Sequence, residues 1–168
     1  IYYPMVMPHD PFVPTPDSPE WADPSRHYEH DTIYFDDMIA YVDKIIGKLE
    51  AKLKEKGVWN NTLFIFTADN GTHPSVITNT DSGVVRGGKG STLKTGNHVP
   101  MIINWPEKIK KSSVFQGVVD FTDILPTLAD AVEIDPASYF TDGKSFLNVL
   151  KGDNKRIDKD EIFIHYTP

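Results

Sequence analysis

The chain has 168 residues, enough for one domain with a hydrophobic core, and its 39% apolar and 24% charged residues are ordinary for a globular protein. Its net charge of −7 disfavours nucleic acid and anionic membrane surfaces as partners. It contains no cysteine, which excludes disulfides, thiolate-bound zinc and a thiol nucleophile within this sequence, and no apolar stretch of membrane-spanning length.

The N-terminal region predicts a strand, a loop and a helix. Residues 1–7 are apolar and indicate a short buried strand, and the prolines of Pro-His-Asp-Pro-Phe at 8–12 indicate a fixed loop after it. On the residues alone, His9 is either a ligand-binding residue or a loop histidine with ordinary hydrogen bonds. Beyond a proline-rich surface loop, helical apolar spacing predicts a long helix over about 27–56, with Gly57 as its C-cap.

The stretch 61–100 holds most of the candidate chemistry. Residues 62–67 read Thr-Leu-Phe-Ile-Phe-Thr, an apolar run typical of a strand buried on both faces of a parallel sheet. Asp69 and Asn70 follow the carboxyl end of this strand, where α/β sheets bind ligands, and their oxygens suit Ca²⁺ or Mg²⁺. Asp-Asn-Gly is also a common turn sequence, so the residues alone leave both interpretations open.

A long loop without a periodic element is predicted at 72–96, and such loops are often functional. Within it, Lys89 lies in Arg-Gly-Gly-Lys-Gly-Ser-Thr, where a point charge on mobile backbone suits an oxyanion. A plain flexible loop is the alternative, and the spacing is not that of a phosphate-binding P-loop. The sequence assigns no role to three histidines, which are His73, His98 and His165.

The C-terminal part predicts further strands at 100–105, 114–119 and 162–165, with an exposed charged loop at 151–161 before the last of them. A helix is predicted from about residue 120 to residue 132. Thr122 or Asp123 is a suitable cap for this helix, because a side-chain oxygen at that point accepts from the free N–H groups of the first turn.

Taken together, the motifs resemble the sulfatase family within the alkaline-phosphatase superfamily. They are Pro-His-x-Pro-Phe at 8–12, Phe-Thr-Ala-Asp-Asn-Gly at 66–71, Gly-Gly-Lys-Gly-Ser-Thr at 87–92, Gly-x-x-Val-Pro at 96–100, Asp-x-x-Pro-Thr-Leu at 123–128 and Asp-Gly-x-Ser at 142–145. Their order is similar to the C-terminal part of the catalytic domain of a type I, formylglycine-dependent, arylsulfatase-like enzyme. The resemblance implies a single α/β fragment over 1–168, truncated at both ends, with a partial alkaline-phosphatase-like sandwich and a mainly parallel central sheet flanked by helices.

The resemblance also implies an activity, that of a sulfuric ester hydrolase acting on aryl or carbohydrate sulfate monoesters. By matching the family motifs, His9 and Lys89 would be catalytic and substrate-binding residues that contact the sulfate group. Asp69 and Asn70 would bind the Ca²⁺ or Mg²⁺ of the complete enzyme. Asn70 in place of a second acid lowers the ligand charge, which fits the singly charged sulfate ester better than a phosphate monoester.

The sequence lacks several residues that this chemistry needs. It has no cysteine and no serine in the Cys/Ser-x-Pro/Ala-x-Arg signature from which formylglycine is made, nor the family's N-terminal aspartate pair. We therefore expect the chain alone to be inactive, with the nucleophile in a missing N-terminal half of the same protein. The alternatives are a phosphodiesterase or phosphonate hydrolase of the same superfamily, and an isolated α/β domain without catalysis. The family resemblance implies a periplasmic or secreted location.

The topology predicts where the candidate residues meet. If 1–7 and 62–67 are parallel strands joined through the long helix, a right-handed crossover brings both carboxyl ends to one sheet edge. We therefore expect His9, Asp69 and Asn70 to cluster there, with Lys89 nearby or mobile on its glycine-rich loop.

Overall fold

A computed structural model describes residues 1–109, 113–153 and 159–165. Its helices are α1 (Phe35–Glu55), α2 (Lys94–Asn97), α3 (Ile124–Ala131) and α4 (Leu147–Leu150), and its strands are β1 (Phe64–Thr67), β2 (Ile77–Thr80), β3 (Gly83–Arg86) and β4 (Met101–Asn104). The chain forms two compact units. The first unit comprises Ile1–Trp59 with Ile65–Ile102, and the second comprises Asn60–Phe64 with the described residues from Ile103 onward. None of the described helices has the length and apolar character needed to cross a membrane. The single-fragment organisation stays a prediction.

The strands form two small sheets. β1 pairs with β4, as the apolar runs at 62–67 and 100–105 predict, while β2 and β3 form an antiparallel hairpin in which Ile77 lies opposite Arg86. The prediction that β1 is buried on both faces is wrong, because all four of its residues are half-buried. In β4, Ile102 is 61% exposed. Both strands therefore leave part of their apolar surface uncovered in the described part of the chain.

Helix α1 is the long helix that the apolar spacing predicts, but it begins later. Asp36 and Asp37 lie in its first turn and two lysines in its last, which complements the helix dipole. Gly57 has φ of 69° and ends the helix as predicted. The helix does not start near residue 27, because the Asp31 carboxylate accepts from the N–H of Ile33 at 3.0 Å and caps a short 3-10 turn instead.

The core of the first unit includes the loop that carries His9. Phe12, Tyr34, Met38 and Val76 are buried against one another. These residues come from the 8–12 loop, the start of α1 and the segment before β2, so one apolar cluster joins the three stretches of chain that the sequence analysis singles out.

Three predicted strands are wrong. Residues 1–7, 114–119 and 162–165 are not strands, and the first of these segments exposes the side chains of Ile1, Tyr2 and Val6. A strand needs a neighbour for its N–H and C=O groups, and the β-prone composition of these segments does not supply one. The predicted loop at 151–161 includes residues 154–158, which lie outside the described residues.

The second unit is organised around a buried carboxylate. The Asp123 side chain is fully buried, accepts from the N–H groups of Asp120 and Lys144 at 3.0 and 2.8 Å, and forms an ion pair of 2.9 Å with Lys159. Asp120 caps the short 3-10 turn that leads into α3, and Asp123 completes a capping box with it. The prediction that Thr122 or Asp123 caps the helix is wrong, because the Asp123 side chain directly before α3 accepts no hydrogen bond from the first turn of that helix. Lys159 also contacts the Asp120 carboxylate at 2.7 Å.

An apolar groove of about 550 Å³ runs along α3 in the second unit. Its walls include Leu63, Trp105, Leu125, Leu128 and Val132. The buried residues of α3 are Pro126, Thr127 and Ala129, while Leu125 and Leu128 on the groove remain exposed. The groove is therefore an uncovered apolar surface of the second unit.

Candidate functional site

The β2–β3 hairpin positions Lys89. Beyond the two strands, the backbone N–H of Gly87 donates to the Val76 carbonyl at 3.0 Å, and the backbone N–H of Lys89 donates to the Thr72 carbonyl at 3.0 Å. The antiparallel pairing of the hairpin therefore continues as far as Lys89. The backbone of Lys89 therefore lies beside Thr72, two residues after Asn70. The prediction that 72–96 has no regular element is wrong, since this range contains β2, β3 and α2.

Two glycines allow the backbone segments of this region to approach closely. A Cβ atom at Gly87 would overlap the carbonyl oxygens of Thr72 and His73. A Cβ atom at Gly71 would overlap the carbonyl oxygen of Thr95, and the Gly71 N–H donates to the Gly96 carbonyl at 2.9 Å. The loop around Lys89 is thus packed against the turn after β1 by contacts that only glycine permits.

His9 and Lys89 are brought into direct contact. Lys89 Nζ lies 3.0 Å from His9 Nε2, although the two residues are 80 positions apart in sequence. The other ring nitrogen, Nδ1, lies 2.6 Å from the carbonyl oxygen of Asp10. A carbonyl only accepts, so Nδ1 carries the proton, and in the neutral ring Nε2 offers its lone pair to the Lys89 ammonium. The Lys89 ammonium keeps two further N–H donors for a ligand beside the His9 ring.

The turn at Asp10 is held by residues that precede α1. His30 Nε2 lies 3.0 Å from an oxygen of the Asp10 carboxylate, and the N–H of Asp31 donates to the Phe12 carbonyl at 3.1 Å. The Phe12 ring contacts the His30 and His73 rings, each at 6.2 Å between centroids. The His9 loop is therefore fixed both to the chain before α1 and to the segment after β1.

Asp69 and Asn70 lie one residue beyond the end of β1, with Asp69 exposed and Asn70 half-buried. In the part of the chain that the structure describes, neither side chain makes a hydrogen bond or ion pair, and no group of three or more acidic, histidine or cysteine side chains is arranged to hold a metal. The donor chemistry fits a hard cation, because both side chains offer oxygen atoms that are free to coordinate. Two oxygens are fewer than the 6–8 that Ca²⁺ takes, so they form part of a site.

Comparison with known proteins identifies the family to which this chain belongs. The sulfatase family model matches residues 1–134. The chain belongs to the sulfatase family. It is 30% identical to mouse steryl-sulfatase over 79% of its length, 31% identical to an N-acetylgalactosamine-6-O-sulfatase of Bacteroides thetaiotaomicron over 69%, and 32% identical to human arylsulfatase A over 72%. It spans about a quarter of each relative, namely 22%, 25% and 24%.

A solved sulfatase shares the fold. The crystal structure of the PsFucS1 sulfatase from Pseudoalteromonas sp. superposes with a TM-score of 0.65 at 34% identity, covering 88% of this chain and 29% of that one. The predicted fold class, α/β of the alkaline-phosphatase-like kind, is confirmed by this likeness. All four candidate site residues of the sulfatase chain lie in the first compact unit.

The remaining histidines of this sulfatase chain differ in their surroundings. His73 Nδ1 lies 2.8 Å from the Ser75 hydroxyl and accepts from the Ser75 N–H at 3.2 Å, which is an ordinary local arrangement. His98 follows α2, and its side chain is exposed, as is that of His165. The sequence analysis missed Asp10 and His30, because neither belongs to a pattern that indicates contact with a candidate site residue.

Proposed function

We propose that this chain is part of a sulfatase that hydrolyses aryl or carbohydrate sulfate monoesters, in which His9 and Lys89 hold the sulfate group. The observation that supports this most strongly is the 3.0 Å contact between their side chains. Two motifs of the same family, distant in sequence, are joined at one exposed point by the hairpin. A functional pair explains this better than two independent loop residues do.

The chemistry of the pair suits a sulfate ester. The Lys89 ammonium donates hydrogen bonds and neutralises negative charge that grows on the sulfuryl oxygens in the transition state. When His9 is protonated, Nδ1 still donates to the Asp10 carbonyl, and Nε2 is left to donate a proton to the departing ester oxygen. Geometry therefore divides the roles, with Lys89 on a sulfuryl oxygen and His9 on the leaving group.

We place a divalent cation, Ca²⁺ or Mg²⁺, on Asp69 and Asn70 in the complete enzyme. When bound, such an ion supplies positive charge that polarises the sulfuryl oxygens. The Asp69 carboxylate contributes one negative charge to the ligand set and the Asn70 amide contributes none, so the site retains more of the ion's positive charge for an anionic substrate.

We assign the nucleophile, a formylglycine, and the other metal ligands to an N-terminal half of the same protein. The open apolar groove on α3 supports this assignment, because it leaves apolar surface in the second unit that a further part of the protein could cover. The full-length sequence tests this assignment: a Cys/Ser-x-Pro/Ala-x-Arg signature is expected outside these residues, and a complete protein without one contradicts it.

Replacing Lys89 with methionine is expected to weaken inorganic sulfate binding by the 168-residue chain about tenfold. Methionine keeps the length of the side chain but removes the ammonium, and a hydrogen bond to a charged group contributes about 1.5–3 kcal/mol. The measurement is an NMR titration with sodium sulfate, balanced with sodium chloride to hold ionic strength constant, that follows the signals of His9 and residues 87–90.

The matched control for this titration is Lys94→Met, which removes an exposed lysine from the same region. The control is expected to bind sulfate as the unmodified chain does. Equal losses of affinity in both variants would show that sulfate responds only to net charge, and the proposed pair would then be rejected.

Replacing Asp69 with asparagine is expected to abolish the response of residues 69–72 to Ca²⁺ in the millimolar range. The substitution keeps the shape of the side chain but removes the charge on which Ca²⁺ coordination depends. Amide chemical shifts measured during a calcium titration provide the readout. Asp81→Asn, in the exposed hairpin turn, serves as the control, and an unchanged response in Asp69→Asn would remove Asp69 from the proposed site.

A further inference from the structure

We propose that His30 is a positioning residue for His9 and acts through Asp10; the proposal rests on the proposed role of His9 in sulfate binding. His30 Nε2 contacts the Asp10 carboxylate at 3.0 Å, and the Asp10 carbonyl lies 2.6 Å from His9 Nδ1. One residue therefore connects the two imidazoles, through its side chain on one side and its backbone on the other.

Two contacts hold the chain on either side of the Asp10 carbonyl. The Asp10 side chain contacts His30, and two residues later the Phe12 carbonyl accepts from the Asp31 N–H at 3.1 Å. Phe12 is 1% exposed and contacts the His30 ring, so the chain cannot shift there without opening the core. The peptide group that carries the Asp10 carbonyl lies between these two anchors, which fixes its direction.

The direction of this carbonyl determines which nitrogen of His9 faces the ligand. With Nδ1–H occupied by the carbonyl, the ring turns Nε2 toward Lys89 at 3.0 Å. If the carbonyl swings away, the ring is free to rotate and to populate the other neutral tautomer, in which Nε2 carries the proton and no longer accepts from Lys89. His30 thus stabilises one tautomer and one orientation of His9.

The exposure of the His30–Asp10 contact makes this role separable from folding. The His30 and Asp10 side chains are 52% and 39% exposed, and a contact between exposed polar side chains contributes little to global stability, even when both are charged. A His30 substitution is therefore expected to change the state of the His9 ring and leave the folded state intact.

The experiment uses the 168-residue chain and compares His30→Ala with His30→Gln. Long-range ¹H–¹⁵N NMR spectra of the histidine rings report the tautomer of His9, and sulfate titrations report affinity. His9 is expected in the Nδ1–H form in the unmodified chain. In His30→Ala it is expected as a mixture of tautomers, with sulfate binding about threefold weaker. His30→Gln is expected to restore both properties, because the glutamine amide donates to Asp10 in place of the imidazole.

The controls decide between positioning and general disturbance. His98→Ala, which removes an exposed histidine elsewhere, is expected to leave the His9 signals unchanged, and Asp10→Ala is expected to reproduce His30→Ala from the other side of the pair. An unchanged tautomer in both His30→Ala and Asp10→Ala overturns the proposal. If His30→Ala changes the His9 tautomer but the unmodified chain binds no sulfate, the positioning role of His30 is supported and the proposed function is contradicted.

Discussion

Replacing Asp123 with alanine is expected to lower the free energy of unfolding by about 3 kcal/mol, since each buried hydrogen-bonding group that loses its partner costs about 1–3 kcal/mol. The Asp123 carboxylate is fully buried and contacts Lys159 Nζ with both oxygens, at 2.9 and 3.0 Å. It also accepts from the N–H groups of Asp120 and Lys144. The substitution therefore leaves two backbone donors without their acceptor and removes one of the carboxylates that the Lys159 ammonium contacts.

Urea denaturation followed by circular dichroism measures this loss. Asp130→Asn is the matched control, because Asp130 lies on α3, the helix that Asp123 precedes, is exposed, and accepts one side-chain hydrogen bond from Ser145 at 2.7 Å. The control is expected to change stability by less than about 1 kcal/mol. A loss of less than about 1 kcal/mol in Asp123→Ala would show that this carboxylate does not organise the second unit.

The same cluster gives the stability a defined pH dependence. Burial by itself raises the pKa of Asp120, but hydrogen bonds from Lys159 and Thr122 outweigh it and lower that pKa below its ordinary value. Burial by itself lowers the pKa of Lys159, and the two carboxylates outweigh it and raise that pKa. The stabilisation that Asp120 contributes to folding is thus complete above about pH 4 and is lost as the pH falls through its lowered pKa. The stabilisation that Lys159 contributes is complete below about pH 10 and is lost as the pH rises through its raised pKa.

Elements whose signal is local could be predicted from the sequence. Helix α1 follows from apolar spacing over many turns, and α3 follows from a short apolar stripe, although its predicted cap residue was wrong. The start of α1 could not be placed, because the Asp31 cap competes with helical propensity over only one turn. The false strands at 1–7 and 114–119 have β-prone composition, yet pairing depends on neighbours that composition does not reveal.

The hairpin is the missed element with the largest consequence for the site. Its signal was present in the sequence: two β-prone segments flank Asp81-Ser82-Gly83, and a two-residue turn followed by glycine is typical of a tight hairpin. Lys89 could be singled out from its glycine-rich surroundings, but its contact with His9 depends on this hairpin returning the chain to Thr72. The roles of Asp10 and His30 depend on the same tertiary arrangement, which no local pattern indicates.

Replacing Gly87 with alanine is expected to separate Lys89 from His9 and to reduce sulfate affinity to that of Lys89→Met. The added Cβ atom would overlap the carbonyl oxygens of Thr72 and His73, which are backbone atoms and cannot rotate away. The strand must move, and the hydrogen bonds from Gly87 to Val76 and from Lys89 to Thr72 move with it. Overpacking of this kind costs about 1–3 kcal/mol, comparable to the loss expected from removing the lysine charge itself.

Gly47→Ala supplies the matched control, because Gly47 lies within α1 and a Cβ atom there meets nothing within 4 Å. Alanine at that position is expected to stabilise the chain by about 0.5–1 kcal/mol, since it lowers the entropy lost on helix formation. The His9 ring signals and the sulfate titration are measured for both variants. Unchanged His9 signals in Gly87→Ala would mean that the strand accommodates a side chain, and that the close approach at Gly87 does not hold Lys89 in place. Displaced His9 signals with unchanged sulfate affinity would show instead that sulfate binds without the His9–Lys89 contact.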